Sequence, residues 1–309
     1  MADSAKVAYV FPGQGAQCVG MGQDLCRSYA AAGDVFRQAD EVLDFPLSRL
    51  CFQGPEEELK LTVNVQPAIV AFSLALLAAI QESGNTLPPP AYVAGHSLGE
   101  YTALAAAGVL DATAAIGLAR ERGRLMHQAG QANPGGMAAV LGLDSDKVAD
   151  ICRQTGSHVA NYNCPGQVVI SGDKTGIDKA IALAEEAGAS RVVPLQVSGA
   201  FHTPLMQPAA DGLATVIEAI PFNQPETPII ANTTAEELTT AEAVKQELRR
   251  QLCQGVQWQR SVEHMINSGV ATFIEIGPGK VLSGLIRRID RSTQTVNIGD
   301  AQAIENLTL

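Results

Sequence analysis

Short apolar runs closed by glycine-containing turns alternate along this chain with stretches of helical period, the pattern of a parallel α/β sheet. Val7 to Phe11 and Ala91 to Ala94 read as strands, and Glu100 to Ala107 and Asp111 to Gln128 as helices. The longest apolar run, Pro67 to Ile80, is too short to span a bilayer, and Pro67 at its head predicts a buried helix that starts there. Leu87-Pro88-Pro89-Pro90 forms a stiff loop into the second strand.

From Gly136 the order changes. Met137 to Leu143 predicts a strand, Ser145 to Thr155 a helix, Val159 to Tyr162 and Val168 to Ser171 two strands, Gly176 to Ala187 a helix, and Arg191 to Val197 a strand. That βαββαβ succession is the ferredoxin-like order. Hinge-like composition bounds it, Gly130 to Gly136 upstream and Ser198-Gly199 downstream. The expected organisation is a large α/β subdomain of residues 1–130 and 198–309 with an inserted small subdomain of residues 131–197.

Gly95-His96-Ser97-Leu98-Gly99 sits between the second strand and the helix from Glu100. A Gly-x-Ser-x-Gly turn in that setting makes the large subdomain hydrolase-like: serine occupies a strained conformation at the tip of the turn, and the N–H of Leu98 faces the same space. Isolated matches to this pattern are usually plain Gly/Ser loops; the strand before and helix after are what set this one apart.

A serine nucleophile needs a base. The chain has five histidines, His96, His127, His158, His202 and His264. His202 follows the apolar run ending at Val197 and lies on a strand-exit loop, where catalytic groups concentrate. It is the expected base. His96 adjoins the serine but points elsewhere and supports the elbow, while the other three suit solvated or core positions. An ordinary hydrolase has Ser, then Asp or Glu, then a late His; here about a third of the chain follows His202, and no acid near it matches.

Arg122 breaks the helical pattern. Ala115, Leu118, Ala119, Leu125 and Met126 fall on one apolar arc of the Asp111 to Gln128 helix, and Arg122 lies in the middle of it. A buried arginine must find an anion, either an internal carboxylate or a carboxylate-bearing ligand that fits the guanidinium fork. Arg120 and Arg124 fall on the polar side and read as solvated charges.

Composition adds exclusions. The 309 residues carry a net charge of −11, which argues against nucleic-acid binding. Cys18, Cys26, Cys51, Cys152, Cys164 and Cys253 form no metal-ligand spacing and read as free thiols in a reducing cytoplasm. No signal-peptide pattern precedes the first strand. Gly13-Gln14-Gly15-Ala16-Gln17-Cys18 lacks the third glycine of a dinucleotide fingerprint and instead suits presentation of backbone N–H groups to an oxyanion. Gly277-Pro278-Gly279-Lys280 lacks phosphate-loop spacing and reads as a tight turn before the last helix.

Seven segments in order carry a family resemblance: Phe11 to Gln17, Gln66-Pro67-Ala68, Gly95 to Glu100, Arg122-Gly123, Ala200-Phe201-His202-Thr203-Pro204, Val256-Gln257-Trp258 and Glu275 to Gly279. Together they resemble the malonyl-CoA:acyl-carrier-protein transacylases. The resemblance implies Ser97 as the acylated nucleophile and His202 as its base, with the backbone carbonyl of Gln257 orienting His202. It implies an oxyanion hole from the N–H groups of Gln14 and Leu98, and Arg122 as the malonyl carboxylate's partner in a pocket with Phe201, Met126, Gln66 and His96. Phe201, just before the base, would restrict space at the acyl α-carbon. It further implies malonyl-CoA and the pantetheine arm of acyl carrier protein as substrates, ping-pong kinetics, fatty-acid synthesis as the pathway, and neither metal nor organic cofactor. From Lys245 to Arg291 eight basic residues face four acids, a patch suited to steering carrier and CoA phosphates. A discrete acyltransferase of a polyketide pathway and an acyl-carrier-editing hydrolase are the competing readings.

Overall fold

The computed structural model describes residues 6–307. The chain begins with β1 (Lys6–Phe11) and the helices α1 (Gln23–Ser28), α2 (Ala30–Leu43), α3 (Leu47–Gln53), α4 (Glu56–Leu59) and α5 (Thr62–Glu82). β2 (Tyr92–Gly95), α6 (Gly99–Ala106) and α7 (Ala112–Ala132) follow. A second unit is then built from β3 (Gly135–Leu141), α8 (Ser145–Thr155), β4 (His158–Cys164), β5 (Gln167–Asp173), α9 (Lys174–Glu186) and β6 (Arg191–Leu195). The chain returns through a 3-10 turn at Pro204–Met206, α10 (Gln207–Ala219), β7 (Ile229–Ile230), β8 (Glu237–Leu238) and α11 (Ala241–Gln251). It closes with α12 (Trp258–Asn267), β9 (Val270–Ile276), α13 (Val281–Ile289), β10 (Gln294–Ile298) and α14 (Ala301–Glu305).

The large sheet has the order β10-β9-β1-β2-β7-β8, parallel throughout except for the short edge pair β7 and β8. From β1 the chain moves first to β2 on one side and later to β9 on the other, so the loops after β1, β2, β7 and β9 gather at one end. Open α/β sheets bind ligands at such a reversal of strand order. The second sheet is antiparallel with the order β4-β5-β3-β6, the ferredoxin-like arrangement, and α8 and α9 pack their apolar faces on it. Strand β4 is tied to the large unit by backbone: Tyr162 N–H donates to the Val256 carbonyl and Val256 N–H to that of Ala160, each at 2.8 Å. Gly277 to Lys280 does form a turn ahead of a helix, α13, but β10 and α14 still follow it, so that helix is not the last.

Helix α5 corrects the expected start at Pro67. It begins five residues earlier at Thr62 and is long and apolar enough to cross a membrane, yet 83% of its apolar window is buried inside the protein between α2 and α7. Pro67 therefore sits within the helix, where its missing N–H leaves the Val63 carbonyl without its i+4 donor. Arg120 supplies the replacement, its Nη1 donating to the Val63 carbonyl at 2.9 Å and to Asn64 Oδ1 at 2.5 Å while the guanidinium covers the Phe45 ring. Arg120 is thus half-buried and structural rather than a solvated charge; Arg124, paired with Glu121, is on the surface.

Arg120→Met should lower the free energy of unfolding by about 1–3 kcal/mol, the range for hydrogen bonds from a charged donor and for a carbonyl left unsatisfied. In a Pro67→Ala background the loss should be smaller, because the backbone N–H restored by the substitution reaches the same carbonyl. Urea unfolding of the four proteins measures the difference, and equal losses in both backgrounds would break the link between the two residues.

Candidate active site

The elbow forms because two glycines allow β2 to turn back against β1. A Cβ on Gly95 would lie 1.9 Å from the Gly99 carbonyl carbon, and one on Gly99 would lie 2.0 Å from the Phe11 carbonyl oxygen. Ser97, at φ +51°, takes the left-handed conformation that raises its side chain above the sheet. Leu98 caps α6, so its N–H belongs to the donors that a helix N-terminus leaves free. The turn after β1 brings Gln14 to the same cleft. Among the described residues neither Leu98 N–H nor Gln14 N–H has a protein partner.

His202 reaches the serine from the returning chain: Ser97 Oγ lies 2.8 Å from His202 Nε2. On the other side of the ring, Nδ1 lies 2.8 Å from the Gln251 carbonyl, which can only accept, so Nδ1 carries the proton and Nε2 is left to receive one from Ser97. Burial and the nearby Arg122 charge push the His202 pKa down to about 3.

The carbonyl that orients His202 belongs to Gln251, not Gln257. Gln257 caps α12; its carbonyl accepts from Ser261 N–H at 2.9 Å and Ser261 Oγ at 3.1 Å, and its N–H donates to the Asn232 carbonyl. Gln251 ends α11, where helix geometry leaves carbonyls without intrahelical donors. Gln257 lines a separate cavity of about 410 Å³ behind His202.

Arg122 is 1% exposed and, among the described residues, forms no ion pair. Its partners are neutral: Nη1 donates to Gln66 Oε1 at 2.9 Å, and Nη2 to Gln251 Oε1 at 2.9 Å and Ser97 Oγ at 3.2 Å. The Tyr101 ring lies 5.3 Å from the guanidinium carbon. Gln66 holds Arg122 from below, its Nε2 donating to Met126 Sδ at 3.4 Å, and does not line the cleft.

The cleft itself holds about 340 Å³. Gln14, His96, Ser97, Leu98, Arg122, Met126, Phe201 and His202 face it from the large unit, and Met137, Asn161 and Leu195 from the small one. Phe201 also packs into the main core at 5% exposure. His96 bridges the units, its Nε2 2.8 Å from Asn163 Oδ1 on β4 and its ring edge-on to Trp258; burial lowers its pKa and holds it neutral.

Sequence reasoning missed three groups. Asn232, just after β7, accepts the Ser97 N–H on Oδ1 at 2.7 Å. Gln251 touches Arg122, the Ser97 carbonyl and His202. Glu100 accepts from both amides. A signal for Gln251 exists: Val244, Glu247, Leu248 and Gln251 recur at helical spacing, and all four are buried. The basic patch is weaker than its sequence count, since Lys245 and Arg249 both pair with Glu218, which lies outside the counted stretch.

A nucleophile, a base and converging N–H donors are the equipment of acyl transfer. Residues 8–305 match the acyl transferase domain, and the chain belongs to that family. Within it, the chain is similar to the malonyl CoA-acyl carrier protein transacylase of Bacillus subtilis, at 46% identity over 306 residues covering 97% of this chain and 96% of that one. The Escherichia coli protein of the same name is 45% identical over 288 residues, 92% and 93% of the two chains. Among solved structures, an acyl carrier protein S-malonyltransferase from Vibrio cholerae superposes with a TM-score of 0.94 at 43% identity, covering 98% of this chain and all of that one. A malonyl-transacylase in complex with its type II polyketide acyl-carrier protein superposes equally well, 0.94 at 41% identity over 97% and 98% of the chains.

The depressed His202 pKa sets a pH dependence. Between about 3 and the ordinary 6.5 the unfolded chain binds a proton that the folded one does not, so the residue's contribution to stability is complete above 6.5 and is lost as pH falls toward 3. For the same reason the base stays neutral in weak acid. kcat/KM for acyl transfer should show no acid limb near 6.5 when measured from about pH 5 to 8; an inflection at the ordinary histidine value would contradict this environment.

Proposed function

We propose that this enzyme transfers the malonyl group of malonyl-CoA to the pantetheine thiol of an acyl carrier protein through a malonyl-Ser97 intermediate, supplying fatty-acid synthesis. The observation that carries the reading is a buried Arg122, without an ion pair among the described residues, whose Nη2 lies 3.2 Å from the nucleophilic Oγ. A carboxylate two bonds beyond an acyl carbonyl on Ser97 falls within reach of that guanidinium, whose Nε–H has no partner among the described residues.

In the first half-reaction Ser97 Oγ gives its proton to His202 Nε2 and attacks the thioester carbon. The oxyanion lies against the N–H groups of Leu98 and Gln14. As the C–S bond breaks, the His202 imidazolium returns the proton to the CoA sulfur and CoA leaves. In the second half the carrier's thiol gives its proton to His202, its sulfur attacks the acyl carbon, and Ser97 recovers the proton as its oxygen leaves. The order is ping-pong. These steps use only groups of this chain and its two substrates, with no metal or organic cofactor. Gln251 takes the place of a triad acid, and a carbonyl adds no second negative charge to repel malonate. Phe201, between the core and the cleft, limits the space for an α-substituent.

Two placements complete the reading. Six free cysteines support a reducing, cytoplasmic setting. Lys280, Arg287 and Arg288 are exposed cations, and Arg288 holds Gln167 beside the apolar groove continuous with the cleft; such a rim suits an acidic carrier and CoA phosphates. The neighbour that binds a polyketide carrier shares this fold, so the same chemistry serves either pathway.

Incubation with malonyl-CoA followed by mass spectrometry should show one malonyl adduct, on Ser97, and none in Ser97→Ala; an adduct surviving that substitution would point to another nucleophile. Arg122→Ala should cost malonyl transfer at least about tenfold more in kcat/KM than acetyl transfer, because both reactions lose the bonds of Arg122 to its neighbours but only malonyl also loses charge-assisted hydrogen bonds to a free carboxylate. Equal losses for both thioesters would make Arg122 purely structural and favour the hydrolase reading.

A further inference from the structure

Beneath the elbow lies a carboxylate that neither half-reaction uses. Glu100, on the first turn of α6, is fully buried. Its Oε1 accepts from Asn232 N–H at 3.0 Å and Asn232 Nδ2 at 2.9 Å, and its Oε2 accepts from Gln251 Nε2 at 2.6 Å. Burial and the nearby Glu247 carboxylate raise its pKa, and these three donors oppose the rise.

Both amides are oriented by neighbours with a single hydrogen-bonding role. The Ser97 carbonyl can only accept, so the Gln251 atom 2.8 Å from it is Nε2, and Oε1 then faces the Arg122 guanidinium, which can only donate. The Gly95 carbonyl fixes Asn232 Nδ2 at 2.7 Å in the same way and leaves Oδ1 for the Ser97 N–H. Each amide therefore turns its acceptor toward the reacting groups and its donor toward Glu100. If Glu100 could not accept, the Gln251 amide would be left with an unpaired buried N–H or would flip, setting Nε2 against the Arg122 guanidinium.

We infer that Glu100 is a positioning residue, one whose carboxylate holds Ser97 through Asn232, and Arg122 and the His202-orienting end of α11 through Gln251, without itself touching the side chains of Ser97, Arg122 or His202. The inference rests on the transacylase reading and adds to it the acid that the serine-histidine pair otherwise lacks, acting at one remove. A carboxylate in direct contact with His202 would raise its pKa; relayed through an amide, it fixes geometry and leaves the base neutral.

Glu100→Gln keeps the shape and turns one acceptor oxygen into a donor. Single-turnover malonylation of Ser97 should slow about tenfold or more, and the preference for malonyl-CoA over acetyl-CoA should narrow, since Arg122 loses its oriented acceptor. Gln251→Met, which keeps the backbone carbonyl for His202 and deletes only the amide, should show both effects and decides the matter if Glu100→Gln does not fold. A merely structural role would lower Tm but leave the rate per folded molecule and the thioester preference unchanged, and that result in either folded variant overturns the inference. Wild type measured alongside separates the two failures. No adduct on wild-type Ser97 removes the functional reading and the inference with it, whereas a normal wild-type adduct with unimpaired variants removes only the role of Glu100.

Discussion

A guanidinium carried into the interior without a contacting carboxylate among the described residues is the constraint around which this site is built. Burying an ion costs several kcal/mol unless hydrogen bonds replace its hydration. Here Arg122 receives neutral acceptors from Gln66 and Gln251. Neutral partners hold the two Nη groups while leaving the positive charge uncancelled, which suits the cleft to an incoming anion in a way that an internal salt bridge would not. The same charge, together with burial, keeps His202 unprotonated and able to take the Ser97 proton.

The placement of that charge depends on the sheet. β1, β2, β7 and β9 end side by side, and the loops after the first three deliver Gln14, Ser97 and Asn232 to one place. The turn after β9 braces the first of them: a Cβ on Gly277 would lie 2.5 Å from the Pro12 ring. Glu275 holds that turn by accepting from the N–H groups of Leu282 and Ser283 at the start of α13. The small unit supplies the opposite wall, and backbone hydrogen bonds between β4 and Val256 fix its distance from the elbow. The cleft is thus walled by two tied units, and limiting water around an acyl-serine is what favours transfer to a thiol over hydrolysis.

Much of this arrangement was written in the sequence because it is local. The elbow needs only a strand, two glycines, a serine and a helix in succession, and close backbone approach permits no other residue at Gly95 or Gly99. The βαββαβ order of the small unit follows from periodicity and turn residues. The arc of α7 placed Arg122 inside because helical spacing alone determines which residues share a face, and its neighbours Ala115, Leu118, Ala119 and Met126 are buried as that spacing requires.

Tertiary structure decided whatever depended on a partner distant in the chain. Helical phase put Arg120 on the polar side, but Pro67, 53 positions away in sequence, created a carbonyl that needed a donor, and Arg120 became a half-buried strut. The carbonyl that orients His202 was sought at Gln257 and found at Gln251, because availability depends on where a helix ends and not on residue type. Glu100, Asn232 and Gln251 are ordinary polar residues in sequence, and only folding sets them in contact, 132 and 151 positions apart. Composition and spacing pointed to Ser97 and His202 as a nucleophile and its base, and to Arg122 as a buried arginine in need of an anion. The orientation of those three groups came from a polar network whose members have no sequence proximity, and hydrogen-bond direction is a property of assembled neighbours.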